Sequence, residues 1–150
     1  MSLQDSNLRP VTLTAALIVM VGAQYGCQRM ASWRTKPQEM HGASDIPAGQ
    51  GTVKVTSGDN GNSNVSIRVK HLAPPSKIAA DSTVYVVWFR PVDGDSQNVG
   101  ALILNSDLEG SLDTLTPHRR FRITVTPEPN GQAASPTNEP VFTYHVESNK

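Results

Sequence analysis

Thr83-Val84-Tyr85-Val86-Val87-Trp88-Phe89-Arg90-Pro91 decides how the rest of the chain is read. It is the densest run of β-branched and aromatic residues present, and such residues suit a pleated, packed surface, so it reads as a central strand. Side chains alternate along a strand, so Tyr85, Val87 and Phe89 point one way and Val86 and Trp88 the other. Both faces are apolar. The strand is therefore expected to be covered on both sides, either wholly by its own domain or on one side by a partner or a second copy of the chain.

On the N-terminal side of this run the period is also two. Val53 and Val55 alternate with Thr52, Lys54 and Thr56; Val65, Ile67 and Val69 alternate with Ser66, Arg68 and Lys70. Between them Ser57–Asn62 is a turn, with Asn60-Gly61 suited to positive φ. This predicts a hairpin with one wet and one buried face. His71–Asp81 contains Pro74-Pro75, cannot stay in a ladder, and is expected to cross to the central strand. On the C-terminal side, Asp93-Gly94 marks a turn. Asn98–Asn105 then reads as a strand, with Val99, Ala101 and Ile103 on one face and Leu102 and Leu104 on the other, pairing with the central run. Ser111–Leu115 is a short strand, Phe121, Ile123 and Val125 mark a one-sided strand, Pro127–Pro140 is a long loop, and Phe142, Tyr144 and Val146 mark the last strand. About seven short strands at this spacing predict an all-β fold, an antiparallel β-sandwich of immunoglobulin-like general shape, over residues 51–150.

Composition agrees with that class and excludes others. Gly and Pro are plentiful, as many turns require, and 17% of the 150 residues are charged, with a formal net charge of zero. Bulk attraction to nucleic acid is not expected. The single cysteine, Cys27, forbids an intramolecular disulfide and a multi-cysteine zinc site.

Ahead of the sandwich, Val11–Ala23 has the length and character of the apolar core of a signal peptide, and is short for a membrane span of about 20 residues. Residues 1–27 are therefore read as an apolar signal helix directing export to the bacterial cell envelope, with an uncleaved membrane anchor as the alternative. Two processing sites compete. Val21-Gly22-Ala23 would release a chain beginning at Gln24, whereas Gln24-Tyr25-Gly26-Cys27 resembles the lipobox of bacterial lipoproteins and makes Cys27 the lipidation candidate. Two acyl chains there would anchor the protein stably, at about 0.8 kcal/mol per buried CH₂. Residues 28–50 are polar, broken by Pro37, Gly42, Pro47 and Gly49, and read as a flexible linker in which Met30, Trp33 and Met40 are unusual.

Several segments together carry a family resemblance. Tyr85–Phe89 is followed by Gly100-Ala101-Leu102, Gly110, Phe121-Arg122-Ile123-Thr124-Val125-Thr126-Pro127-Glu128-Pro129, Ser135-Pro136-Thr137 and Glu139-Pro140-Val141. Their order and spacing resemble the extracytoplasmic C-terminal domain of the anti-sigma-K factor family, most specifically in the Val-Thr-Pro-Glu-Pro and Ser-Pro-Thr segments. The resemblance implies a β-sandwich outside the cytoplasm with no established catalysis. The family's sigma-holding helical domain has no counterpart in the short polar stretch before Val11, so no sigma-factor binding is expected to carry over.

Residue patterns for chemistry are sparse. His41, His71, His118 and His145 fall at no ligand spacing, and His145 is expected to face water. Asp59-Asn60-Gly61-Asn62 and Asp93-Gly94-Asp95 read as turns rather than calcium loops, and no Gly-x-Ser-x-Gly elbow or phosphate-cradling glycine loop occurs. Arg119, Arg120 and Arg122, near His118, form the one basic cluster, a candidate surface for an anionic partner or lipid headgroups; Trp88, on the second apolar face, is the other candidate partner residue. The reading is a non-catalytic envelope protein with a binding or sensing sandwich and no cofactor. The alternatives are a membrane-anchored regulatory protein acting through a partner, and an extracytoplasmic hydrolase that would need some of His71, Asp81, Asp113, His118 and Glu128 to meet in a pocket.

Overall fold

The structure, a computed structural model, describes residues 36–44 and 46–147. The expected signal segment, Cys27 and the linker residues 28–35 lie outside the described residues. The strands are β1 (Gln38–Glu39), β2 (His41–Gly42), β3 (Gln50–Ser57), β4 (Ser63–Lys70), β5 (Val84–Pro91), β6 (Gln97–Leu102), β7 (Gly110–Thr116), β8 (Phe121–Glu128) and β9 (Phe142–Val146). They form two antiparallel sheets, one in the order β1-β3-β4-β7 and one in the order β2-β9-β8-β5-β6. The fold is a β-sandwich, as the alternation predicts.

Its core is what period-two patterning dictates. Val53, Val65, Ile67 and Val69 from the four-stranded sheet meet Tyr85, Val87, Phe89, Ile123, Val125 and Phe142 from the five-stranded one. Close approach of the layers requires a glycine at 51, because a Cβ there would stand 2.9 Å from the Phe142 ring. The β3–β4 hairpin turns through Asn60 and Gly61, both at positive φ, as the Asn-Gly pair predicts. The crossing loop after β4 contains one helical turn, α1 (Pro75–Ile78), and is pinned to the core where the Tyr85 hydroxyl donates to the Ala73 carbonyl at 2.7 Å. Burial of that phenol pushes its pKa up to about 12.

Two expectations change. The linker does not run to residue 50. Gln38 and Glu39 pair with Thr52 and Val53 of β3, and His41 and Gly42 pair with Phe142 and Thr143 of β9. This segment passes from one sheet to the other through Met40, which is 7% exposed, and Ile46 joins the same core. Met40, unusual in a linker, is thus a core residue of the domain. Strands this short carry no readable alternation, so the sequence does not announce them. The second change is in β6, which ends at Leu102. Its pairing with β5 shifts register between Val87 and Trp88, and Gly100 there takes φ 145°, with the Leu112 side chain 3.2 Å from where its Cβ would be. The bulge breaks the expected alternation. Val99 packs on the core with Leu102, Ala101 pairs with Val86 on the opposite face, and Ile103 is exposed.

Candidate functional site

Among the described residues, the outer face of the five-stranded sheet carries a buried polar chain and an open basic row. Its rows follow from the register: Val84 opposite Glu128, Val86 opposite Thr126, Trp88 opposite Thr124, and Arg90 opposite Arg122, which is in turn opposite His145. The first half of this face is closed by residues 129–140, the long loop between β8 and β9. Asn98 holds that loop down by donating from Nδ2 to the carbonyls of Gly131 and Ala133, each at 3.0 Å, and Thr83 Oγ1 donates to the Pro129 carbonyl at 2.7 Å.

Beneath it runs a buried hydrogen-bond chain. Trp88 Nε1 donates to Thr126 Oγ1 at 2.8 Å, and Thr126 Oγ1 donates to Glu128 Oε1 at 2.6 Å. The Thr137 amide donates to Glu128 Oε1 at 3.0 Å and the Thr137 hydroxyl to Glu128 Oε2. Burial works against ionising Glu128. The hydroxyls of Thr126 and Thr137 and the amides of Thr137 and Asn138 outweigh it, and together they hold its pKa below the ordinary glutamate value. The carboxylate is fully buried and makes no ion pair among the described residues; its charge is stabilised by hydrogen bonds. Pro127 fits this strand for a backbone reason. The Val125 carbonyl accepts from Val141 and the Glu128 carbonyl from Thr83, so odd positions of β8 turn toward β9. Beyond Val125 the β9 ladder has ended, and a missing N–H at 127 breaks nothing.

Trp88 is therefore not a partner surface. It is 0% exposed, sealed under the chain's own loop together with Val86. The apolar second face that suggested a partner or a second copy is covered from within.

The other half of the face is open. Arg90, Arg122 and His145 stand as adjacent cross-strand neighbours, exposed, and with Arg120 they line a groove of about 360 Å³ floored by Phe121 and Val146. Phe121 is held by Phe89, with ring centroids 4.8 Å apart. Like charges directly opposite one another on a sheet are destabilising, by a few tenths of a kcal/mol up to about 1. The ion pairs among the described residues, Arg68 with Asp113 at 3.0 Å and Lys70 with Glu109 at 3.3 Å, lie elsewhere. Glu147 lines the groove but comes within ion-pair distance of none of its cations.

The sequence cluster is thus partly re-sorted. Arg120 and Arg122 join Arg90 and His145. Arg119 instead reaches the β3–β4 turn, where its Nη2 is 3.4 Å from where a Cβ on Gly61 would be, and the His118 carbonyl accepts from Ser63 Oγ at 3.1 Å. Arg90 and His145 were missed because their neighbours in space are distant in sequence. Strand parity alone, once β5, β8 and β9 are paired, would have found them.

A second concavity of about 480 Å³ includes Arg68, Lys70 and Glu109, and its cations are matched by acids. Neither concavity gathers His71, Asp81, Asp113, His118 or Glu128. Among the described residues no three His, Cys, Asp or Glu side chains come together as metal ligands, and no helix is long and apolar enough to cross a membrane. Compared with known proteins, the chain matches no family model, no curated protein and no solved structure. The Val-Thr-Pro-Glu-Pro and Ser-Pro-Thr segments that carry the family resemblance have a structural role here: Thr126, Glu128 and Thr137 are the latch that closes the loop onto the sheet.

Proposed function

We propose that this protein is a non-catalytic binding protein of the bacterial cell envelope, a β-sandwich held outside the cytosol behind a signal segment, with lipid on Cys27 as its anchor. The observation that carries the binding role is the division of one sheet face, closed by the chain's own loop over its apolar half and open where Arg90, Arg122 and His145 stand with no ion-pair partner among the described residues. The groups with displaced pKa values are engaged in structure. Tyr85 pins the crossing loop, Asp113 is lowered chiefly by its hydrogen bond from Arg68, and Glu128 latches the long loop. Displaced groups of an enzyme would converge on a pocket instead. The apolar run Val11–Ala23 and the position of Cys27 support the address.

Mass spectrometry of the mature N-terminus from native membranes tests the reading. Diacylglycerol on Cys27 is expected; a chain beginning at Gln24 in the extracytoplasmic fraction keeps the address and removes the anchor; an intact Met1 in the cytosolic fraction overturns it. A second reading, a membrane-anchored regulatory protein acting through a partner, draws on the family resemblance of Val84–Val141. An intact Met1 in membranes would favour it.

A further inference from the structure

We infer that the Arg90–Arg122–His145 groove is a binding site for a phosphate group. The register sets Arg90, Arg122 and His145 side by side across β5, β8 and β9, and Arg120 stands at the groove's end. Two guanidinium forks on neighbouring strands offer donors that match the oxygens of a tetrahedral oxyanion. A phosphate group brings two acceptor oxygens and one negative charge as a diester, or three oxygens and between one and two charges as a monoester, set to be shared between neighbouring guanidinium forks. The site is local. Asp93 and Asp95 are exposed on the turn after β5, at the same end of the sandwich, so that end as a whole is not a uniformly cationic surface suited to a flat anionic layer. Among the described residues, the groove is lined by the arginines and His145, and by Glu147 as its one acid.

On the envelope reading, two sources present such a group, a phospholipid headgroup and a soluble phosphate; the phosphate chemistry itself does not depend on that reading.

The test uses the full chain. Amide chemical shifts are followed during titration with inorganic phosphate against sodium chloride at equal ionic strength, and retention on phosphatidylcholine vesicles is compared with and without phosphatidylglycerol. Saturable shifts at Arg90, Arg122 and His145 with phosphate alone are expected, with affinity weakened about tenfold or more in Arg122→Gln and unchanged in Arg68→Gln, which lies on the other sheet. Retention that requires phosphatidylglycerol and falls in Arg122→Gln assigns the source to headgroups; phosphate binding without such retention assigns it to a soluble phosphate. Shifts equal in chloride, or equal in Arg122→Gln, overturn the site. Because the titration needs no cell address, its failure is distinct from failure of the envelope reading, which the mature N-terminus decides.

Discussion

On the outer face of the four-stranded sheet, Lys54, Ser66, Arg68 and Asp113 meet water, and cations that approach an acid are paired with it, Arg68 with Asp113 and Lys70 with Glu109. The outer face of the five-stranded sheet is arranged differently. Val86, Trp88, Thr126 and Glu128 are fully covered by a loop of the same chain, and Arg90, Arg122 and His145 stand adjacent with no ion-pair partner among the described residues. Both sheets obey the same pleat. They differ because residues 129–140 fold back over one of them, which turns half of a solvent face into a second small interior. What the loop leaves uncovered is the part where two arginines stand directly opposite each other.

The sharpest way to break this contrast is Trp88→Ala. It empties the space beneath the loop and removes the donor to Thr126, and it should cost about 3–5 kcal/mol in urea unfolding. A surface tryptophan would cost a fraction of that, so a loss under 1 kcal/mol would mean that the loop does not seal this half.

Glu128→Gln keeps the shape but replaces an acceptor oxygen with an NH₂ group facing donors, at a cost of about 2–3 kcal/mol. The same carboxylate gives the molecule a pH dependence. Its folded-state pKa lies below the unfolded one, so its contribution is fully present above the ordinary value of 4.5 and is lost as pH falls through the lowered folded value. Urea midpoints measured between pH 7 and 3 should fall less in Glu128→Gln than in the natural chain; parallel curves would remove Glu128 from the account.

Thr137→Val deletes one hydrogen bond to the carboxylate and leaves the Thr137 amide in place, and is expected to cost about 1–2 kcal/mol. Amide exchange should accelerate across 129–140 and stay unchanged in β3 and β4. Uniform acceleration would show that the loop has no separate opening.

The smallest effects have opposite signs on the two sheets. Arg68→Gln removes an exposed pair and should destabilise by about 0.5 kcal/mol or less. Arg122→Gln relieves like-charge neighbours and should stabilise by a few tenths of a kcal/mol, although it removes a binding residue. If both variants lose stability equally, the open row carries no stored repulsion.

Residue by residue, legibility followed the range of the interaction. Val53 to Val69 and Phe121 to Val125 showed their buried face because alternation is written between next-but-one neighbours. Gly61 showed its turn, and Pro74-Pro75 showed its crossing, for equally local reasons. Gln38–Gly42 did not, since a dipeptide strand has no period and is held only by partners in β3 and β9. The bulge at Gly100 was hidden because it is a shift in register against β5, which exists only once the two strands have paired.

By itself, then, the sequence determined the β class, the positions of the breaks, and the demand that Tyr85–Phe89 be covered on both faces. Tertiary structure alone decided what covers the second face, which arginines stand together, and where the linker gives way to the domain. Side-chain parity is a property of the covalent chain, whereas cross-strand adjacency and loop closure exist only after distant segments have paired.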